Sequence, residues 1–315
     1  MAEIPVIFCF DDRILTGAGV SILSLLDAAA PTTVYAVHIF HPGLAGPVLE
    51  ALRALVAGSR HSIHFHLIPA ARFANVPRNK GSWTEIVYYR LLAAEILPDL
   101  DRAIYSDVDV FFVRDMAEAW AVDLSGAEWA GVAGEANRAP TVMHRHFPEN
   151  PKDRIYFSGF MVMNLALMRA NGAIARYFET IDRFHDRLKF FDLDVLNIAT
   201  PEIAALPFDY VVLEDVYETP EVTESADFAY LRSVYSEDDL RAARGNPAII
   251  HFAGRRGKPW QRRKAPDYFA QVAERLPARL RLGTFRDFRK KWLSRKGRAC
   301  YPSRQANPVG AHHGA

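Results

Sequence analysis

Asp107 and Asp109 stand one residue apart in YSDVDVFF, inside a run whose other residues suit a buried strand. On extended backbone, side chains two apart share a face, so both carboxylates can aim at one point where the strand meets solvent. Two such charges repel unless a cation lies between them. A hard divalent ion with oxygen ligands, Mg²⁺ or Mn²⁺ bridging phosphates, resolves that conflict. The tripeptide D-x-D is short and abundant, and one aspartate capping a turn while the other faces water is the plain alternative. The apolar flanks RAIYS and VFFV favour the metal, because aspartate is disfavoured in such a strand unless it has a partner.

A second group of chemical residues lies in AIIHFAGRRGKPW. A histidine at a strand end, His251, suits a third ligand, and one nitrogen among oxygens moves the preference from Mg²⁺ toward Mn²⁺. Gly254 and Gly257 permit close backbone approach to a phosphate, and Lys258 supplies a point charge for it. Taken alone, His251 is more readily a structural histidine. His61, His64 and His66 in HSIHFH also have a tempting spacing, but with no acidic partner nearby their strand pattern predicts surface or sheet packing. The segment NKGSWTE can be read as a lid carrying Trp83 toward a ligand or as an ordinary loop with a packed tryptophan.

The elements that must hold these residues alternate. IPVIFCF is a continuous apolar run, as expected of a strand covered on both faces, and it ends in Asp11 and Asp12. GVSILSLLDAA repeats apolar residues at helical spacing and TTVYAVHIF is β-branched and aromatic, giving a βαβ unit. GPVLEALRALVA predicts a helix, HSIHFHLIP a strand, YYRLLAAEILP a helix stopped by Pro98, and residues 105–113 a further strand. Such alternation predicts an α/β fold with a mostly parallel central sheet, helices on both faces and ligands at the carboxyl ends of the strands. Farther on, FSGFMVMNLALM reads as strand into helix, DVLNIA as a helix, and FDYVVL and AIIHFAG as strands. The stretch 214–247 is polar and irregular and is expected to be a surface excursion.

With 315 residues, half of them apolar, the chain can bury a large core. No stretch approaches the roughly 20 apolar residues of a membrane-spanning helix, and MAEIPVIFCFDD lacks the pattern of a signal peptide, so residence in the cytosol is expected. Cys9 and Cys300 lie in dissimilar settings and form neither a disulfide framework nor a zinc site. The net charge of +1 conceals an asymmetry: residues 261–315 hold 14 Lys and Arg against three acids, a surplus of about 11, which leaves about −10 for the rest. The division expected is a catalytic domain over 1–262 and a basic amphipathic helical tail over 263–315. RLPARLRLGTFRDFRKKWLSRKGR would place an apolar edge flanked by cations on an anionic membrane, at about 1 kcal/mol per basic residue near the surface. A solvated tail is the alternative, and nucleic acid is not an expected partner.

In order along the chain, FCFDD, YYRLLAAEILPDLDRAIYSDVDVFFVRD, YFSGFMVMNLALM, FFDLDVLNIA and HFAGRRGKPW together resemble family 8 glycosyltransferases over about Ile4 to Trp260. The resemblance implies a GT-A fold and retaining transfer of a sugar from a UDP-linked donor with Mn²⁺. It implies Asp107, Asp109 and His251 as metal ligands. Phe10, Asp11, Arg90, Asp107, Val108, Gly254 and Lys258 would bind the donor, with Asp11 on uracil and Gly254 and Lys258 on the diphosphate. Asp192 and Asp194 match the family's D-Q-D. As the implied catalytic pair, the first would hold donor-sugar hydroxyls, and the second serves either there or as a helix N-cap or orienting group. Leu193 replaces the glutamine, Phe157 the asparagine of F-N-S-G and Ile14 an aromatic residue, and the histidine motif has one extra residue before Lys258. The implied function is transfer of glucose or galactose from a UDP-hexose to a lipopolysaccharide or other glycan or lipid-linked glycan acceptor, by a cytoplasmic enzyme peripheral at the inner face of the plasma membrane. A catalytically degenerate sugar-nucleotide binder and a D-x-D phosphatase are the competing readings.

Overall fold

The structure, a computed structural model, describes residues 3–78, 84–138 and 145–281. Among the described residues ten strands are present: β1 (Glu3–Cys9), β2 (Val34–His41), β3 (Ser62–Leu67), β4 (Arg102–Ser106), β5 (Val110–Phe112), β6 (Trp129–Ala136), β7 (Arg154–Asn164), β8 (Ile203–Leu206), β9 (Val212–Leu213) and β10 (Ile249–His251). Seven form one sheet in the order β3-β2-β1-β4-β7-β6-β8, and β5, β10 and β9 form a second. β1 pairs in parallel with β2 and β4, β2 with β3, and β6 with β8, while β7 runs antiparallel to both β4 and β6. The large sheet is therefore mostly parallel. β1 and β2 are buried almost throughout, which is why β1 is continuously apolar instead of alternating and β2 departs from that at the buried His38 and His41.

Both faces are covered. On one side helix α1 (Leu15–Asp27), helix α2 (Gly46–Arg53), the small sheet and the helix Asp267–Arg275 close a core that includes Val6, Phe8, Val20, Ile39, Ile104 and Phe112. On the other, the helical stretch Glu85–Ile96 and the helices Ala173–Phe184 and Asp192–Ala199 pack over Ile7, Phe40, Tyr105, Met161 and Met163. Among the described residues no helix is long and apolar enough to cross a membrane.

Three expectations need correction. The strand expected over 105–113 is two strands in different sheets, β4 and β5, joined by Asp107-Val108-Asp109. The stretch 214–247 is not a loose excursion. It holds the helices Glu214–Glu218, Phe228–Leu231 and Glu237–Gly245, which bury Val216, Leu231, Leu240 and Ala243. The last of them starts with a capping box between Ser236 and Asp239, a signal readable in SEDDL. Finally, the segment assigned to the tail from 263 begins inside the body. Phe269, Val272, Leu276 and Leu280 are buried in the core, Arg275 forks onto Asp27 at 2.6 and 2.8 Å, and the Thr16 hydroxyl donates to the Leu280 carbonyl at 3.0 Å. The basic residues from 282 onward, Trp83 and Cys300 lie outside the described residues.

His61, His64 and His66 pack on the sheet. The His38 ring lies near-parallel to those of His64 and His66, with Nδ1 of His38 3.0 Å from Nε2 of His66, and His61 accepts from the Tyr35 amide at 3.0 Å.

Candidate active site

The two sheets meet at the D-x-D turn. Phe8 of β1 pairs with Ser106 of β4, so the carboxyl ends of these parallel strands lie side by side. The Asp107 amide donates to the Gly159 carbonyl at 2.8 Å, extending the β4–β7 ladder by one residue. The Phe252 amide donates to the Asp109 carbonyl at 2.8 Å, extending the β5–β10 ladder in the same way. Backbone from β7 and β10 thus fixes both ends of the tripeptide. His251, paired with Val110, then projects beside the two carboxylates.

One ligand atom from each of Asp107, Asp109 and His251 lies within 4.8 Å of the others, and this is the group of its kind found among the described residues. His251 Nε2 is 3.4 Å from Asp109 Oδ1 and 3.8 Å from Asp107 Oδ2. His251 is buried, and among the described residues its Nδ1 has no hydrogen-bond partner. Two carboxylates and an imidazole nitrogen converging at a partly open strand end fit a Mn²⁺ or Mg²⁺ ion, with positions left over for phosphate oxygens. Asp109 is held well below the usual carboxylate range. Burial opposes ionisation there, but Lys258 and His251 together outweigh it.

Gly159, from YFSGF, makes this convergence possible. A Cβ at that position would lie 2.6 Å from His251 Cε1 and 3.0 Å from Asp107 Oδ2. The imidazole is buried and cannot withdraw. We expect Gly159→Ala to cost about 1–3 kcal/mol of stability and to displace the ligand set, seen as a lowered Tm together with weakened Mn²⁺ binding by calorimetry. An unchanged Mn²⁺ isotherm would contradict this account.

Arg90 joins Asp107 to Asp192. The helical stretch Glu85–Leu92 carries it into the core, where it lies 4.1 Å above the Tyr105 ring. Its guanidinium donates to the Asp107 carboxylate at 2.8 Å, to the Ser158 carbonyl at 2.7 Å and to the Val87 carbonyl at 3.0 Å, and it contacts Asp192 Oδ2 at 3.2 Å. The Tyr105 hydroxyl donates to Asp107 at 2.7 Å. Asp192 opens its helix and is buried, and burial raises its pKa to about 6, with Arg90 pulling down and Asp107 pushing up. Phe191, just before it, is the non-glycine residue at positive φ, 49°, among those described, a strained conformation directly beside a candidate ligand.

Asp194 does something else. Its carboxylate accepts from the Lys189 and Phe190 amides at 2.7 and 2.9 Å, closing the turn before the helix. Of the two roles open to it, the orienting one is what the contacts describe. Phe10 and Val108 are buried in the core, so only their main chains are available to a ligand. The Asp11 carboxylate is engaged by Arg13, at 2.9 Å through the amide and 2.6 Å through Nε, and Arg13 in turn reaches the Thr84 hydroxyl at 3.0 Å. Gly254, at φ 110°, turns the chain after β10 toward Lys258, which pairs with Asp109 and donates to the Phe252 carbonyl at 3.0 Å. Phe157, where the family pattern has asparagine, is buried against Gly134 and lies under the Arg145 guanidinium at 5.2 Å. Leu193 is likewise buried.

Comparison with known proteins shows the family to which this fold belongs. The profile of Glycosyl transferase family 8 matches residues 5–264. The chain belongs to that family and has a GT-A fold. The probable glycosyl transferase Gly of Streptococcus gordonii is 26% identical over 178 residues, 56% of this chain and 22% of that protein. The glycosyltransferase GlyA of Streptococcus pneumoniae is 23% identical over 192 residues, 60% of this chain and 23% of that protein. The chain thus spans less than a quarter of the length of these curated relatives. Among solved structures, galactosyltransferase LgtC in complex with donor and acceptor sugar analogues superposes with a TM-score of 0.70 at 20% identity, covering 87% of this chain and 97% of that one. The bifunctional glycosyltransferase WbbM gives 0.69 at 19% identity, covering 90% and 52%.

Proposed function

We propose that this chain is a Mn²⁺-dependent, retaining hexosyltransferase that moves glucose or galactose from a UDP-sugar to a lipopolysaccharide or other surface-glycan acceptor. The observation that carries this reading is the convergence of Asp107, Asp109 and His251 at the carboxyl ends of β4 and β10, flanked by two cations, Arg90 and Lys258. Those three residues would hold the ion, which when bound supplies Lewis-acid stabilisation of diphosphate charge. Lys258 and the backbone after Gly254 face the same diphosphate and offset charge as the leaving group departs. Asp11, just beyond the end of β1, would turn from Arg13 to bond the uracil. Asp192, aligned by Arg90 and by the turn that Asp194 closes, accepts hydrogen bonds from donor-sugar hydroxyls beside the reacting carbon. Leu193 has no lone pair to attack with. Retention is therefore assigned to a front-side substitution in which the acceptor oxygen bonds the anomeric carbon, the carbon–oxygen bond to phosphate breaks, and the departing phosphate takes the acceptor proton.

Docking of the basic residues from 282 onward on the inner face of the plasma membrane belongs to the same proposal and rests on their charge in the sequence. The experiment that tests the function is UDP release from a panel of UDP-sugars with Mn²⁺, with and without chelator. Release from UDP-glucose or UDP-galactose, lost on chelation, is expected. A folded protein that binds a UDP-sugar but never turns it over, with glycan acceptors present, would favour the degenerate binder instead, a reading that the buried, non-polar Phe157 and Leu193 motivate.

A further inference from the structure

Lys258 has two anionic claimants. If the chain is a sugar-nucleotide transferase, as proposed, its ammonium faces the diphosphate. In the structure it rests on Asp109 Oδ2 and on the Phe252 carbonyl, and so shares a carboxylate with the metal group. The Lys258 side chain is 34% exposed, whereas Asp109 is 16% exposed, so the ammonium can leave toward solvent while the carboxylate stays. Its backbone is fixed. Arg262 forks onto Glu214, whose side chain is 2% exposed, and also donates to the Gly257 carbonyl. Arg256 bonds Asp215 at 2.7 Å and the Thr219 hydroxyl at 3.3 Å. The loop between Gly254 and Lys258 is thereby tied to the helix Glu214–Glu218, and what remains able to turn is the four-carbon stem of Lys258.

The charges around the site add a second constraint. Arg90 is shared by Asp107 and Asp192, and Lys258 pairs with Asp109, so three carboxylates already face two cations. A divalent ion entering that set overloads it with positive charge unless a cation withdraws or an anion arrives, and a nucleotide diphosphate is such an anion. We infer that Lys258 is an exchangeable counter-ion: it holds Asp109 until a divalent cation takes that carboxylate, then turns to the diphosphate, so that metal and nucleotide bind cooperatively through one side chain. Glu214 and Arg262 are the positioning residues that keep its backbone in reach of both.

The test is calorimetry on the full chain with Mn²⁺ alone, UDP alone, and each in the presence of the other. In the unaltered protein, Mn²⁺ and UDP should each tighten the other by about 5- to 100-fold, the ordinary range of such coupling. Lys258→Met should bind Mn²⁺ alone about 5-fold or more tightly than the unaltered protein, while losing most of the coupling to UDP. Mn²⁺ affinity that is unchanged or weaker in Lys258→Met overturns the inference. A measurement that needs no variant is amine-reactive labelling read by mass spectrometry: Mn²⁺ should raise labelling of Lys258 and UDP should then suppress it. Labelling indifferent to Mn²⁺ also overturns it. Asp109→Asn separates the two levels of argument. If that change leaves Mn²⁺ binding intact, the metal reading itself fails and takes the inference with it. If it removes Mn²⁺ binding while Lys258→Met behaves like the unaltered protein, only the counter-ion role fails.

Discussion

Arg90→Met is expected to lower the free energy of unfolding by about 3–5 kcal/mol and to remove donor binding, because it strips the cation from two carboxylates at once while keeping the apolar volume. The Arg90 side chain is 6% exposed and that of Asp192 7%, so water cannot replace what the guanidinium supplies to Asp192. The Ser158 carbonyl and Asp107 lose charge-assisted partners in the same step. Arg90→Lys should rescue little, since a single ammonium cannot span Asp107, Asp192 and Ser158 as a planar fork does. The pH dependence has a definite sign. The Asp192 pKa is raised to about 6 by burial, against about 3.9 in an unfolded chain, so the folded state holds a proton that the unfolded state has lost between those values. Stability from this group therefore falls as pH rises through that window. Without Arg90 the folded pKa climbs further and the loss extends to higher pH. Urea unfolding at pH 5 and pH 7.5 should show a wider gap between the two proteins at the higher pH. An equal gap at both would mean that Arg90 is not what holds Asp192 ionised.

How far such contacts were legible in the sequence depends on their range. Asp107, Asp109 and His251 could be singled out because carboxylates in an apolar run and a histidine ending one are locally anomalous. What their own segment did not disclose is that the chain changes sheets between the two aspartates: RAIYS and VFFV look like one strand, and the break follows from β10 pairing with the second half alone. Gly159 lies within YFSGF, but its reason is an imidazole 92 positions later, and no local pattern encodes that approach. The stretch 214–247 looked irregular because its helices are short, with few apolar positions each. Their burial depends on the neighbours they meet, although the Ser236–Asp239 capping box was there to be read. Asp194 illustrates the opposite case. Resemblance brought it into the catalytic group, whereas its own position, two residues into a helix and next to a turn, already allowed the orienting role that its bonds to Lys189 and Phe190 describe. The basic character that set off everything after 262 was misleading for its first part, because Phe269, Val272, Leu276 and Leu280 carry the apolar spacing of a packed segment among the charges.

Asp109→Asn should reduce sugar-nucleotide turnover by roughly 10³-fold, the several kcal/mol by which a ligated divalent ion stabilises a departing diphosphate. Asparagine keeps the shape and one acceptor oxygen but removes the charge that Lys258 and the metal group both use. The fold should hardly notice at neutral pH. Lys258 is about one-third exposed, and a pair so open to water contributes at most about 1 kcal/mol. Even that small difference has a direction. Burial disfavours the Asp109 carboxylate, Lys258 and His251 outweigh burial, and the net result is a folded pKa held below the unfolded one. Its contribution is complete above about pH 4 and is lost as pH falls toward the depressed folded value, so the stability difference between the two proteins should shrink in acid. Function and stability are thus expected to separate: thermal unfolding nearly superimposable at pH 7, with Mn²⁺-dependent UDP binding gone. Mn²⁺-dependent binding that survives in Asp109→Asn would place the ion elsewhere. A collapse of stability at pH 7 would instead show that Asp109 serves chiefly to hold β5 and β10 against Lys258.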